Sequence, residues 1–269
     1  MTSPPPRARS PHRGRDDLSR FQRLQVEHFA RADEAKFLWQ TQDAYLAKTE
    51  RALLDRVPVK SSDRLLEVGC GEGGNLQLLG LTPLSAVGVD FSHAKVSWAR
   101  HHCGAARFVC ADGTRLPFQD ETFDVVLCRD VLHHTVDKSE VVGELIRVCR
   151  AFGRVVIIEP NGGSPIVGLL GLLVEAEREL LRNSLGGVLA LLDRGQVAEP
   201  DVSWAQPFPA GRVLFHYRWG LPRLSAWLAG AVLAAERLIG RLVPTERWAY
   251  MIITTVKTAS GKPVVSESV

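Results

Sequence analysis

The stretch Leu65-Leu66-Glu67-Val68-Gly69-Cys70-Gly71-Glu72-Gly73-Gly74-Asn75 decides the fold of this chain. It leads from a short apolar run, through an acidic residue and a glycine-rich turn, into a helix that we expect to begin near Gly74. Glycines let the backbone approach a ligand closely, and the N–H groups that open a helix can bind anionic atoms. Because Gly69, Gly71 and Gly74 satisfy the pattern GxGxxG, the turn alone is compatible with several nucleotide cofactors and with a purely structural role.

Short apolar runs alternate with helical segments on the C-terminal side of this turn. The runs are 64–68, 86–90, 106–109, 123–128 and 153–159, and the helical segments between them include 92–103 and 138–149. Continuous apolar strands separated by helices are typical of a parallel sheet that is covered on both faces. The sequence therefore predicts a doubly wound α/β fold whose ligand binds at the carboxyl ends of the strands.

Carboxylates end or follow two further runs. Asp90 ends Val87-Gly88-Val89-Asp90, and its two oxygens can accept from both hydroxyls of a ribose, which suits a nicotinamide or an adenosyl cofactor. Asp112 follows the third run, where it can accept from the amino group of adenine, with Leu116 or Phe118 against the ring. This second carboxylate favours the adenosyl cofactor.

Five segments, in this order, resemble the class I S-adenosylmethionine-dependent methyltransferases. They are LLEVGCGEGGN at 65–75, VGVDFS at 87–92, ADGTRLPFQDETFDVVLC at 111–128, LHH at 132–134 and GRVVIIEPN at 153–161. They are most similar to the small-molecule branch that includes the ubiquinone and menaquinone biosynthesis methyltransferases. The resemblance covers about residues 60–160 and the terminal strand at 247–257. It implies a Rossmann-like, mostly parallel, seven-stranded sheet whose last strand is antiparallel.

The resemblance also implies S-adenosyl-L-methionine as the cofactor and assigns its contacts. Glu67 and the glycine turn would face the methionine part, Asp90 the ribose, and Asp112 the adenine. The residues expected to bind the cofactor are Glu67, Gly69, Cys70, Gly71, Asp90, Phe91, Asp112, Gly113, Cys128 and Arg129. Of these, Cys128 and Arg129 follow the fourth run, where the reacting methyl group is expected.

Two histidines are the candidate catalytic residues. Methyl transfer needs a general base only if the acceptor must lose a proton, as a hydroxyl does. His133 and His134 follow the fourth run, and imidazole titrates near neutral pH. They are candidates for this base, although a histidine here can equally shape the pocket. No Asp/His cluster in the sequence indicates a metal site.

The other parts of the chain are predicted to surround this core. The predicted organisation is a disordered basic tail (1–17), N-terminal helices (18–58), the cofactor-binding core (59–160), a helical cap inserted after the fifth strand (161–211), C-terminal strands and a helix that complete the sheet (212–258), and a frayed tail (259–269). Within these parts we expect irregular structure at 197–210, a strand at 212–219 and an amphipathic helix at 221–242. Trp39 and Tyr45 could close over the cofactor, although ordinary packing of the N-terminal helix is the favoured interpretation for both.

The insertion is longer than the fold needs, and long connections tend to be lids or binding segments. Its apolar residues at 166–173 surround a whole helix, which fits either a buried cap or a hydrophobic acceptor site. The helix expected at 224–243 has the same character. We therefore expect a small, apolar or lipid-like acceptor and O- or C-methylation, with peripheral contact to a membrane surface as an open alternative.

Charge and cysteine usage exclude other classes. Residues 1–20 carry five Arg and two Asp, so the net charge of +3 belongs to the tail and the remaining charges cancel. A neutral globular part does not indicate a nucleic-acid partner. The five cysteines form no CxxC pair, which indicates reduced thiols and a cytoplasmic location. The uncharged stretches at 161–174 and 224–235 are shorter than the roughly 20 residues that a membrane span needs.

Two alternatives remain open at the level of the sequence. A NAD(P)-dependent oxidoreductase would use the same glycine turn and Asp90, but the Tyr-x-x-x-Lys pair is missing, because Thr49, Leu221 and Thr254 stand four residues after the three tyrosines. A non-catalytic nucleotide-binding protein would retain the same pocket without turnover.

Overall fold

The protein is described by a computed structural model that covers residues 37–38, 41, 44–82, 84–192, 195–209 and 225–259. Its strands are β1 Leu65–Val68, β2 Ala86–Asp90, β3 Arg107–Cys110, β4 Phe123–Arg129, β5 Cys149–Pro160, β6 Asp201–Ala205 and β7 Tyr250–Val256. The α-helices in these ranges are α1 Ala44–Leu54, α2 Gly74–Leu79, α3 His93–His102, α4 Lys138–Val148, α5 Pro165–Leu173, α6 Leu185–Leu189 and α7 Ala226–Leu242. Short 3-10 helices span Leu132–His134, Glu175–Arg182 and Thr245–Arg247.

The strands form one seven-stranded sheet in the order β3-β2-β1-β4-β5-β7-β6. Strands β1 to β5 are parallel, whereas β7 is antiparallel to β5 and β6 is antiparallel to β7. The predicted doubly wound, mostly parallel sheet with an antiparallel last strand is therefore confirmed. The strand order reverses between β1 and β4, which is the position where open α/β sheets bind their ligands.

Strand β1 shows why these residues form a central strand. All four of its residues are buried, and successive side chains point to opposite faces of the sheet. Leu65 accordingly packs in the core layer that contains residues of α1 and α3, while Leu66 packs in the layer that contains residues of α4. An uninterrupted apolar run is thus required, because both faces of the strand are covered.

A helical insertion follows β5, as the sequence predicts, and contains α5, the 3-10 helix at 175–182 and α6. Gly171 lets the first two of these pack closely. A Cβ at this position would lie 3.0 Å from Leu181 Cγ and 3.2 Å from the carbonyl oxygen of Glu177. Within the described ranges, no helix is both long and apolar enough to cross a bilayer.

One expectation for the C-terminal part is wrong, and another falls outside the described residues. Strand β6 lies within the range 197–210 that was expected to be irregular. Its order comes from pairing with the outer edge of β7, where Trp204 stands opposite Met251, and such a long-range partner is not visible in local composition. The strand expected at 212–219 lies outside the described residues.

Candidate active site

The cofactor turn follows β1 and depends on glycine. Gly69 has a φ of +80°, and a Cβ at this position would lie 2.1 Å from Val131 Cγ2. The amides of Gly69 and Cys70 both donate to the carbonyl oxygen of Val89, at 2.7 and 3.0 Å. Gly71 also has a positive φ, of +52°. The turn is therefore fixed against β2 and closely approaches the segment after β4.

Asp90, the last residue of β2, is bound to this turn. Its Oδ2 accepts from the amide of Gly71 at 2.9 Å, and its Oδ1 accepts from the amide of Ser92 at 2.8 Å. Each carboxylate oxygen can accept a further hydrogen bond. The carboxylate is thus held at a strand end with capacity for two hydroxyl donors, as a ribose would require.

Glu67 is fully buried at the end of β1. Its Oε1 accepts from Asn75 Nδ2 at 2.5 Å, while its Oε2 has no hydrogen-bond partner among the described residues. Burial raises the pKa of Glu67 to about 7. A buried carboxylate oxygen without a partner is costly, and the ammonium group of a bound methionine moiety would satisfy it. This orphaned atom therefore fits the predicted cofactor.

Arg129 ends β4 and is buried among protein groups. Its Nη1 donates to Asn75 Oδ1 at 2.9 Å, its Nη2 donates to Glu50, and its Nε lies 3.4 Å from Asp130 Oδ2. Burial alone would lower its pKa, but the charges of Glu50 and Asp130 outweigh burial and raise it. The side chain thus joins α1, α2 and β4 beneath the turn. The sequence did not indicate Glu50 or Asn75, because neither follows a strand.

The other predicted cofactor residues lie at the same edge. Asp112 is exposed, and its Oδ1 accepts from the amide of Thr114 at 2.9 Å. Phe91 is 51% exposed beside Asp90. A Cβ at Gly113 would lie 3.2 Å from Val68 Cγ1, so the β3 loop approaches the end of β1.

Several predicted residues turn inward. Cys70 and Cys128 are buried, and burial raises the pKa of both thiols well above the ordinary value, which disfavours the thiolate form. Leu116 is buried in the core and Phe118 packs edge-on against Phe123, with ring centroids 5.0 Å apart. Their expected contact with adenine stays a prediction.

Trp39 and Tyr45, the two aromatic residues that could close over the cofactor, differ in what the structure says of them. Trp39 lies outside the described residues. Tyr45 is buried on α1, and its hydroxyl donates to Glu236 Oε1 of α7 at 2.5 Å. Tyr45 therefore fixes two helices to each other.

A second buried carboxylate organises the other half of the edge. Glu159, fully buried near the end of β5, accepts through Oε1 from the amides of Val131 and Leu132, both at 2.8 Å. Its Oε2 lies 2.7 Å from His133 Nδ1 and accepts from Asn183 Nδ2 at 3.0 Å. The sequence signal for Glu159 was the same as for Glu67 and Asp90, an acidic residue at a strand end, but its role was not assigned.

The two predicted catalytic histidines lie next to this carboxylate. His133 is 2% exposed, its Nε2 lies 3.8 Å from Glu177 Oε2, and its ring centroid lies 3.8 Å from that of His134. Burial alone would lower the pKa of His133, but the carboxylates of Glu159 and Glu177 outweigh burial and raise it. His134 is half-buried.

The structure brings together a group of possible metal ligands that the sequence did not indicate. One nitrogen from each of His133 and His134 and one carboxylate oxygen of Glu177 all lie within 4.8 Å of one another. Glu177 belongs to the insertion, far along the chain from both histidines, so only the fold brings these three side chains together.

Comparison with known proteins shows which proteins this chain is similar to. Residues 66–157 match the family described as methyltransferase domain. Three relatives also match. The 27-O-demethylrifamycin SV methyltransferase of Amycolatopsis mediterranei is 30% identical over 57% of this chain and 59% of its own length. The phthiotriol/phenolphthiotriol dimycocerosates methyltransferase 1 of Mycobacterium ulcerans is 40% identical over 35% and 36%. The demethylmenaquinone methyltransferase of Beutenbergia cavernae is 32% identical over 40% and 45%.

A solved structure supports the fold. Phosphoethanolamine N-methyltransferase 2 of Haemonchus contortus, in complex with S-adenosyl-L-methionine, superimposes with a TM-score of 0.63 at 17% identity, over 90% of this chain and 61% of that protein. Residues 66–157 are thus similar to the methyltransferase domain family, and the solved structure shows that the chain shares the fold of a methyltransferase. The matched part of the chain spans less than two thirds of each curated relative above.

Proposed function

We propose that this chain transfers a methyl group from S-adenosyl-L-methionine to a hydroxyl group of a small, apolar acceptor. The observation that carries this proposal is an oriented imidazole beside the cofactor turn. His133 is two residues from Val131, whose side chain fills the space over Gly69, and Glu159 holds the His133 ring. The methyltransferase domain at 66–157 supports the methyl donor.

The carboxylates and the glycine turn would hold the cofactor. The orphaned oxygen of Glu67 would accept from the methionine ammonium, and Asp90 would accept from the ribose hydroxyls. Asp112 would accept from adenine. The complete proposed set is Glu67, Gly69, Cys70, Gly71, Asp90, Phe91, Asp112, Gly113, Cys128 and Arg129. Cys70 and Cys128 would contribute through their backbone, because their thiols are buried. Arg129 would support the cofactor site indirectly and would not touch the cofactor, because its guanidinium is bound to Glu50 and Asn75.

When bound, S-adenosylmethionine would supply a methyl carbon on a positively charged sulfonium sulfur. An oxygen nucleophile would attack this carbon in line with the leaving sulfur. The protein must hold the acceptor oxygen close and aligned and keep water out. His133 Nε2 would accept the proton of the acceptor hydroxyl, while bound S-adenosylmethionine would supply the methyl carbon and keep the electron pair of the broken carbon–sulfur bond on sulfur.

Glu159 sets the ring of His133 for this task. As a buried carboxylate, it accepts from Nδ1–H, which leaves the lone pair of the neutral ring on Nε2. The same carboxylate stabilises the imidazolium that forms when the proton arrives. The ring of His134 lies beside that of His133, tilted by 45°, and is the second candidate of the sequence.

The insertion supports an apolar acceptor. Leu169, Leu172 and Leu173 on α5 are 53, 70 and 70% exposed, and such side chains suit a hydrophobic molecule or its lipid surroundings. The names of three relatives refer to an O-demethylrifamycin, phthiotriol dimycocerosates and a demethylmenaquinone. The first two names support a hydroxylated acceptor, and the third supports an apolar one. Contact with a membrane surface, and a cytoplasmic location based on five free cysteines, belong to the same proposal.

Two measurements test the proposal. Isothermal titration calorimetry should show binding of S-adenosylhomocysteine and no binding of NADH, and the reverse result would favour the oxidoreductase. A screen of hydroxylated lipids and aromatics with labelled S-adenosylmethionine, read by mass spectrometry, should give products that are heavier by one methyl substitution. Cofactor binding with no product across the screen would instead support the non-catalytic alternative.

A further inference from the structure

His133, His134 and Glu177 form a three-residue cluster between the sheet and the insertion. The histidines belong to the 3-10 turn after β4, whereas Glu177 belongs to the 3-10 helix at 175–182. Their potential ligand atoms lie within 4.8 Å of one another. Two imidazole nitrogens and one carboxylate oxygen, on two separate elements, are a donor set that proteins use for divalent transition metals.

The surroundings of His133 prepare one nitrogen for such an ion. A histidine that binds a metal almost always donates its other ring N–H to a carboxylate or a carbonyl. Here Glu159 Oε2 lies 2.7 Å from Nδ1, so Nε2 is directed to the side on which Glu177 lies, 3.8 Å away. Glu159 is itself held by two backbone amides and by Asn183, so the outer part of the site is already built.

The ligand chemistry selects among the cations. Mg²⁺ and Ca²⁺ prefer oxygen ligands, whereas imidazole nitrogens with one carboxylate suit Zn²⁺ and its neighbours Co²⁺ and Ni²⁺. Zinc sites with three protein ligands keep a fourth position for water or another small ligand. A short inward movement of the three side chains would bring the ligand atoms to metal-bonding distance.

We propose that His133, His134 and Glu177 bind one divalent cation of the zinc type, which bridges the insertion to the sheet and inhibits methyl transfer. The inhibition rests on the proposed function, because the ion would occupy Nε2 of His133, the atom assigned to the acceptor proton. The ion would thus regulate the site through direct competition with the base role of this ring.

Binding is tested first on untagged, chelator-treated full chain. Titration calorimetry with ZnCl₂ and the visible absorption of bound Co²⁺ should both indicate one ion per chain, while MgCl₂ should give no signal. Saturating Zn²⁺ should raise the Tm by about 5 °C, because a ligand that binds only the folded state stabilises it. Absence of zinc binding in the wild type would overturn the proposal.

A matched pair of variants assigns the site. Glu177→Gln should weaken zinc binding by at least about 100-fold, since loss of an outer hydrogen-bond partner alone costs 10- to 100-fold. Glu179→Gln is the control, because Glu179 lies on the same 3-10 helix, is equally exposed at 26%, and pairs with Arg182 at 3.0 Å. Equal zinc affinity in both variants would place the ion elsewhere and overturn the assignment.

Turnover with a small-molecule acceptor tests the regulation. Zn²⁺ should inhibit the wild type and Glu179→Gln at the concentrations that bind, and Glu177→Gln should resist this inhibition by about the factor lost in affinity. Turnover that rises with zinc, or equal inhibition of both variants, would overturn the inhibitory role. Failure of the proposed methyl transfer is distinguishable from failure of the metal proposal. In the first case the protein still binds zinc, but the metal-free protein gives no methylated product.

Discussion

The carboxyl group of Glu67 changes its ionisation near neutral pH because of where it lies. Burial raises its pKa most, and the charges of Asp90 and Glu72 add to this, whereas the hydrogen bond from Asn75 and the charge of Arg129 act in the opposite direction. The outcome is a pKa of about 7 in place of 4.5. At physiological pH the ionised residue therefore reduces stability, and in the proposed complex its charge would attract the cofactor ammonium.

Glu67→Gln should increase the free energy of unfolding at neutral pH and weaken cofactor binding. Between about pH 4.5 and pH 7 the folded protein keeps a proton that the unfolded chain has lost, so the contribution of Glu67 to stability falls as pH rises through this window. The neutral amide lacks this loss. In the absence of cofactor, the free energy of unfolding of the variant relative to wild type should increase by roughly 2–3 kcal/mol between about pH 5 and pH 8.

Urea denaturation at several pH values measures this difference, and calorimetry with S-adenosylhomocysteine should show weaker binding by the same variant. A difference that is independent of pH would contradict the raised pKa of Glu67. The exposed Glu140→Gln on α4 is the control, and its stability relative to wild type should change little over this range.

His133→Ala should separate catalysis from cofactor binding. Loss of a general base lowers turnover by roughly 10²- to 10⁴-fold, whereas S-adenosylhomocysteine affinity should remain within about twofold, since the proposed cofactor contacts lie on other residues. His101→Ala, on the exposed part of α3, should leave both quantities unchanged. The comparison with His134→Ala identifies which ring acts, and undiminished turnover in both variants would retire the base role.

At the scale of elements, the contact between the turn after β1 and the segment after β4 requires a glycine, because any Cβ at residue 69 would clash. A Cβ at Gly69 would lie 2.1 Å from Val131 Cγ2, and the φ of +80° adds strain for any L-residue. The cofactor turn and the histidine segment can therefore approach each other only if residue 69 is glycine.

Gly69→Ala should destabilise the fold by about 2–5 kcal/mol, the sum of left-handed strain and overpacking. Val131→Ala added to it should restore only the packing part, because the backbone conformation is unchanged. Thermal or urea unfolding of the two single variants and the double variant should yield a favourable coupling energy of about 0.5–3 kcal/mol. Simple additivity would indicate that the backbone rearranges and relieves the contact.

Helix α1 is attached to the sheet by the buried ion pair between Glu50 and Arg129, and the stability of the fold depends on both partners. Arg129 and Glu50 are 3% and 4% exposed, and removal of one partner leaves the other charge uncompensated. Glu50→Ala should lower the free energy of unfolding by about 3–5 kcal/mol. Lys48→Ala, on the exposed side of the same helix, should change it by less than about 0.5 kcal/mol. A loss below about 1 kcal/mol for Glu50→Ala would mean that water reaches Arg129.

At the scale of the whole molecule, the sequence predicts the parts that local signals encode. Apolar runs gave β1, β2 and β4 nearly to the residue, and an acidic residue at a strand end indicated Glu67 and Asp90. Helix, turn and strand ends are local properties, so their placement at one edge follows from the parallel sheet.

The missed features depend on contacts between distant parts of the chain. The pairing of β6 with β7, the ion pair of Glu50 with Arg129, and the position of Glu177 beside two histidines all arise when separate elements pack. No periodicity within a window of sequence reports such partners. The acceptor half of the site was accordingly less predictable than the cofactor half.

The amide of Asn183 has a consequence for protein engineering. It donates to Glu159 Oε2 at 3.0 Å and to the carbonyl oxygen of Pro160 at 2.8 Å. A chimera that receives the 161–200 segment of a homologue with another acceptor would lose both bonds unless an equivalent amide is transplanted with it. A graft without this amide should therefore misplace the imidazole of His133, although His133 lies outside the exchanged segment.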